Sequence, residues 1–363
     1  MTQTTWWGTF PAAGNGTPVG RGEGLWRQRG EDVQLVLELP APAFVIAHPG
    51  RPLLYAITES DDSAVHAIDV SDPDAPAVIA TVPTGGRAGC HLSLAPGHRA
   101  LYASHYMSGD VAVIALGETG APVGTTPAQV FGHEGRGPRE DRQEAPHAHF
   151  SGLAPGGRHL LVCDLGTDEL RRYSIRPDGL LDDDGIAAVL PAGAGPRHFA
   201  VRGDLIYVTC ELDNRLRVLR WDGANAVADV IEDLPSTTAV NRTGEAGLQD
   251  GHILIHGDVV LVAVRGADVI ALFDLGPEGE ARYRTSFDVG EWPRHFAIAH
   301  DRLLVASERG HDARWYPLAE VLALPPEREV GEIATVPHAS APIPSAACAC
   351  PELGPRIGAT LKP

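Results

Sequence analysis

The chain has 363 residues, 44% of them hydrophobic, with 41 glycines, 30 prolines and a formal net charge of -18 from 47 acidic and 29 basic residues. That apolar fraction supports a large core, and so much Gly and Pro argues against a helical protein and for many short strands joined by tight turns. The acidic surface repels phosphate backbones and so argues against a nucleic-acid partner, although a few arginines within it can still form a local well for an anionic substrate.

At the N-terminus, MTQTTWWGTFPAAG has no basic leader followed by an apolar core, so no secretory signal is expected. No stretch approaches the ~18–20 uninterrupted apolar residues of a membrane span, and no membrane partner is expected. TTWWGTF and EGLWRQRG are short, aromatic-rich and strand-like. From residue 43 onward one pattern recurs: an alternating run, a turn, a second strand, a polar turn and a third strand. The copies are Ala43–Val70, His91–Leu116, His147–Ile175, His198–Trp221, His252–Leu275 and His295–Leu318. They recur about every 45–55 residues, the range of four-stranded propeller blades. Such a sheet buries little by itself, and packing sheets in a ring gives a continuous core with few exposed edges.

The predicted fold is therefore all-β: a seven-bladed β-propeller of four-stranded blades, one domain over residues 1–363. The seventh blade is expected to be closed by residues 1–30 together with about 328–352, where EVGEIATV and ASAPIPSAACACPE offer strands. Two long polar connections, 117–145 and about 236–251, each precede an innermost strand and are candidates for a substrate lid. Cys90, Cys163 and Cys210 lie singly in strand-like runs, and Cys348 and Cys350 form a C-x-C pair without a second zinc-like pair. All five are expected to be buried free thiols, which fits a reducing, cytoplasmic location.

The start of each innermost strand carries the polar signal. It reads GCH at Gly89–His91, PHAH at Pro146–His149, PRH at Pro196–His198, DGH at Asp250–His252 and PRH at Pro293–His295. In a ring of blades these turns converge on one axis. Histidines repeated in this way, His91, His198, His252 and His295, can lock blade to blade or line a pocket. Departures from the repeat are more telling. PHAH carries His147 and His149 at i and i+2, on one face of a strand, while Arg197 and Arg294 project opposite to the neighbouring histidine. Second strands close on Asp164, Glu211 and Arg265 in three consecutive copies, with His105 and Tyr106 at the corresponding point of the second.

At these residues the chain resembles the seven-bladed propeller lactonase family, which includes propeller-type 6-phosphogluconolactonases and 3-carboxy-muconate lactonizing enzymes. The resemblance rests on PHAH with its DLG follower, GAGPRHF, the YVTCEL run through Asn214 and the VRG run ending at Asp268. It implies catalytic roles for His147, Arg197, Glu211 and Arg265. His149, His91, His198, Asp164, His252, Arg294 and His295 are then candidates for substrate contact. Val264 stands where relatives usually carry Asn, and Gly89 where Pro is common.

Lactone hydrolysis needs an activated water, a partner for the oxyanion and a proton for the leaving alkoxide. Glu211 or His147 is the expected general base. Arg197 and Arg265 are expected to stabilise the oxyanion and bind a carboxylate or phosphate. No cofactor is expected. Imidazoles around an axis resemble a zinc or iron site, but the carboxylates that commonly complete one are missing, so no metal is expected either. The same residues suit a lactonizing cycloisomerase, and a non-catalytic binding scaffold is a third reading. A monomer or homodimer acting on a small anionic lactone is expected.

Overall fold

The computed structural model describes residues 4–10, 24–243 and 247–351 of the chain. They form seven sheets arranged as blades. The innermost strands are Pro42–Ala47, Gly89–Leu94, Ala148–Leu153, Pro196–Arg202, Gln249–His256, Pro293–Ala299 and Ala346–Pro351, defining blades 1 to 7. Each packs against the next, and the last packs against the first, so the ring is closed. No helix among the described residues is long and apolar enough to cross a membrane.

Burial explains the sequence pattern. A strand sandwiched between neighbouring blades is covered on both faces and reads as a continuous apolar run. Leu53–Thr58 and Val259–Arg265 are buried at every position. Outermost strands meet solvent, so Ala77–Pro83 is mostly exposed and Ile79 is 49% accessible.

Strands from both ends build blade 7. Ala346–Pro351 is innermost, followed by Thr4–Thr9, Gly24–Arg29 and Asp32–Glu38. Trp6 and Trp7 are fully buried there, and Trp7 Nε1 donates to Gln28 Oε1 at 2.9 Å. The bounds differ from the expected 1–30 and 328–352. Asp32–Glu38 adds an outer strand beyond residue 30. Ile333–Ala334, within EVGEIATV, instead pairs in parallel with Ala281–Asp288 as a fifth strand of blade 5. Ala339–Pro342 forms the outer strand of blade 6. The reason is edge satisfaction: blade 6 has only three strands of its own run, and the returning chain supplies the fourth before it reaches the axis. Residues 1–3, 11–23 and 352 of the expected closing segments lie outside the described residues, as do 244–246 of the second connection.

One irregularity positions the site. The register shifts at the start of the innermost strand in blades 1 to 6, between Pro42/Phe44, Gly89/His91, Ala148/Phe150, Pro196/His198, Asp250/Ile253 and Pro293/His295. Such a bulge sets extra residues against the partner strand and re-aims their side chains. It parts each turn's residues between two destinations, described next.

Candidate functional site

The first destination is the propeller axis. Six rings follow one another around it: Phe44, His91, Phe150, His198, His252 and His295. Successive centroids lie 4.4, 4.1, 4.7, 5.2 and 4.1 Å apart, and His295 returns to Phe44 at 5.3 Å. The nitrogens are used within the protein. His91 Nδ1 accepts from the Ser151 amide at 3.2 Å, His198 and His252 meet Nδ1 to Nδ1 at 2.9 Å, and His295 Nδ1 accepts from the Ala349 amide at 3.4 Å. Burial pushes all four imidazoles well down, His295 to about 3, so the ring is uncharged. Among the described residues, no group of three or more His, Cys, Asp or Glu is arranged to hold a metal ion.

The second destination is a cavity of about 570 Å³ at the end of the ring where second strands finish. Its described lining includes six arginines, Arg139, Arg142, Arg197, Arg265, Arg294 and Arg309, against three carboxylates, Glu59, Asp141 and Glu211. Among the described residues, the lining of this pocket is thus locally positive in an acidic protein.

Glu211 organises one side. It follows Leu205–Cys210, and its amide donates to the Gly195 carbonyl at 2.8 Å. Its Oε2 accepts from Arg197 Nε at 2.8 Å and is ion-paired with Arg265 Nη2 at 2.6 Å, while Oε1 accepts from Arg142 Nη2 at 2.5 Å. Burial alone would raise this carboxyl, but Arg265, Arg142 and Arg197 outweigh it and hold it well below the usual carboxylate range. Arg265 is further fixed by the Asp250 carbonyl at 2.8 Å, and the centre of the Trp292 ring lies 5.6 Å from its guanidinium and 3.3 Å from that of Arg309. Burial and then Arg265 push Arg197 down to about 9 despite Glu211. A guanidinium does not lose its proton in a protein, so this marks a cation short of counter-charge, a deficit that a bound anion fills.

On the other side, Arg294 bridges two carboxylates, with Nη2 2.9 Å from Glu59 Oε2 and Nη1 3.1 Å from Glu308 Oε2. Its guanidinium lies 4.3 Å from the centre of the Phe10 ring. His149 also lines the cavity. It is buried, its Nδ1 has no hydrogen-bond partner, and burial followed by Arg197 holds it neutral.

The candidates therefore separate. Arg197, Glu211, Arg265, Arg294 and His149 come together at the cavity. His91, His198, His252 and His295 belong to the axial ring. His147 precedes its strand and does not line the cavity, and because the bulge falls between Ala148 and Phe150, simple alternation does not govern the pair. Its ring stacks on Tyr106 at 4.4 Å and its Nδ1 donates to the Tyr106 carbonyl at 2.6 Å.

Asp164 is also outside the cavity lining. Its Oδ1 accepts the amides of His147, Gly166 and Thr167 at 2.9, 2.9 and 3.0 Å, shaping the turn. Registered on the bulges, Asp164 pairs with Ala148 as Cys210 pairs with Pro196 and Val264 with Asp250. Its true counterparts are Cys210 and Val264, one residue before Glu211 and Arg265, so its side chain takes the opposite direction. Asn214 and Asp268 have positive φ and are turn residues, Asp268 accepting from the Trp292 amide at 3.0 Å.

Sequence reasoning passed over Glu59, Glu308, Arg142, Trp292 and Arg309. Glu59 and Glu308 follow Leu53–Thr58 and Arg302–Ser307 as Glu211 follows Leu205–Cys210, so extending the strand-end comparison to the first and last copies would find them. Arg142 sits in the long polar connection and carries no local signal.

A closed ring of seven blades with an arginine-rich cavity at one end defines a propeller with a small-molecule site. The family model for lactonase, 7-bladed beta-propeller, matches residues 27–320. The chain belongs to that family, and is a lactonase, a hydrolase of the carboxylic-ester class. It is 32% identical over 286 residues to the 6-phosphogluconolactonase of Bacillus subtilis, covering 76% of this chain and 79% of that protein. The fold matches the crystal structure of a protein from Lactobacillus plantarum with a TM-score of 0.80 at 19% identity, over 96% and 99% of the two chains. It matches a periplasmic gluconolactonase of Pseudomonas aeruginosa with a TM-score of 0.79 at 22% identity, over 96% and 98%.

Proposed function

We propose that this lactonase hydrolyses a phosphorylated or otherwise anionic sugar-acid lactone of the 6-phosphogluconolactone kind. The observation that carries this is the excess of arginine over carboxylate in the cavity lining, in a chain whose net charge is -18. A neutral substrate would leave the under-compensated Arg197 in place, whereas an anion relieves it. The Bacillus subtilis relative supports the same substrate class.

In this reading Arg197 and Arg265 bind the lactone carbonyl as it becomes an oxyanion, and Arg142, Arg139 or Arg309 at the cavity edge hold the distal anion. His149 accepts the proton of the attacking water: its imidazole is neutral and lines the cavity. His147 is a poor candidate for that task because it does not line the cavity and its Nε2 lies 3.3 Å from Glu144 Oε2. Glu211 is a positioning residue, since a carboxylate engaged by three guanidiniums is a weak base. The five free, buried cysteines fit work in a reducing compartment such as the cytoplasm.

The reverse reaction class, lactonization of a muconate-type acid, uses the same arginines. Assaying 6-phosphogluconolactone hydrolysis and 3-carboxymuconate cyclisation side by side tests the reading. Hydrolysis well above the spontaneous rate, without cyclisation, is expected; cyclisation alone would overturn it.

A further inference from the structure

The cavity holds two buried carboxyls in opposite electrostatic settings. Glu211 is shared by three arginines, whereas Glu59 and Glu308 share one, Arg294. Two ionised carboxylates on one guanidinium would leave a net negative charge among three buried side chains, and the cheapest remedy is a proton on one carboxylate. Glu59 lines the cavity; Glu308 does not. We infer that Glu59 is the general acid of this enzyme, giving its proton to the ring oxygen that leaves when the lactone opens. This rests on the lactonase reading above and supplies the proton that the reading lacks.

The surroundings of Glu59 all bear on that role. Arg294 of blade 6 touches it, Glu308 of blade 6 and Arg197 of blade 4 act on it through their charge, and it in turn acts on the blade 2 Cys90 thiol, which burial pushes up. Burial raises the Glu59 carboxyl; Arg294 opposes this and Glu308 reinforces it. Arg197 acts on both Glu59 and Glu211, so the proton-bearing and the ionised carboxyl serve one site. Environments that push two carboxyls apart in one cavity are how acid and base roles are divided. The step balances. Water adds to the carbonyl carbon as His149 takes one of its protons. The ring C–O bond breaks with its electron pair on oxygen, and Glu59 protonates that oxygen. The proton on His149 then returns through solvent to Glu59, leaving the hydroxy acid.

A purely structural alternative is that Arg294 ties blades 1 and 6 together. The pH profile of kcat/KM on 6-phosphogluconolactone, corrected for spontaneous hydrolysis, separates the two. Glu59→Gln keeps the Arg294–Glu308 pair and is expected to lose about 10²-fold in kcat/KM, along with the alkaline limb of the profile. Glu308→Gln removes the like charge and is expected to move that limb to lower pH by about one unit, with the thermal midpoint nearly unchanged. Wild-type kcat/KM in Glu59→Gln, or an unmoved limb in Glu308→Gln, overturns the inference. If Glu59→Gln fails to fold, the limb in Glu308→Gln decides alone. Absence of turnover in the wild-type enzyme strikes the lactonase reading instead.

Discussion

The cavity and the axial ring are built from the same turns, yet they obey opposite electrostatic rules. In Pro196–Arg202 the bulge sends Arg197 to the cavity and its neighbour His198 to the ring, and in Pro293–Ala299 it parts Arg294 from His295 in the same way. The ring discards charge: its four imidazoles are held neutral by burial, and Phe44 and Phe150 do the same packing job with no nitrogen at all. The cavity concentrates charge and leaves it under-compensated. Repetition around a propeller thus marks architecture, and the residue that the bulge inserts beside the repeated one marks chemistry.

The largest effect should come from removing what both regions share. Deleting residues 1–30 takes away strands Thr4–Thr9 and Gly24–Arg29 with the fully buried Trp6 and Trp7. A buried tryptophan truncated to alanine costs about 3–5 kcal/mol, so loss of both should leave no cooperative melting transition near the wild-type midpoint. An unchanged midpoint would mean that the N-terminal strands do not close the ring.

Next comes the cavity. Glu211→Gln should lower kcat/KM on an anionic lactone by about 10²–10³-fold, because Arg142, Arg197 and Arg265 lose the carboxylate that aligns them. Turnover at the wild-type level would remove Glu211 from the site.

The ring should behave in the reverse sense. His252→Phe copies the residue type already present at Phe44 and Phe150. It should cost about 1–2 kcal/mol, mainly the lost contact to His198 Nδ1, and change kcat/KM less than about threefold. A large loss of activity at unchanged stability would make the ring part of the machinery.

Taken for one histidine and one pH unit, the smallest effect is a pH dependence of stability. The four ring histidines have folded pKa values below the unfolded value of about 6.5, so below that pH the unfolded chain binds more protons than the folded one. Stability is then fully present above about pH 6.5 and falls as the pH drops, by up to about 1.4 kcal/mol per pH unit for each histidine. Thermal midpoints between pH 7.5 and 5 should show this slope, and His252→Phe should flatten it; equal slopes would contradict the neutral ring.

The blades were legible in the sequence because burial on both faces forces continuous apolar second strands, and tight turns force Gly and Pro between them. The turns were legible as a histidine repeated at the start of the innermost strands. What sequence could not show was the bulge, since inserting a residue changes the ladder without changing composition. Counting by simple alternation therefore joined His147 to His149 and aligned Asp164 with Glu211, one residue out of register. Glu59 and Glu308 went unread although they occupy the Glu211 position of blades 1 and 6, and Arg142 was hidden in a connection whose only visible property was polarity. The fate of ASAPIPSAACACPE, whose first residues complete blade 6 before its last reach the axis, depended on which sheet edge was short of a strand, which is a property of the assembled ring.

The most direct test lies within a single turn, Pro146–His149. Steady-state kcat/KM on 6-phosphogluconolactone should fall about 10²–10³-fold in His149→Ala and less than about tenfold in His147→Ala, because only His149 faces the cavity. A larger loss in His147→Ala than in His149→Ala would contradict the division between cavity and scaffold on which this account stands.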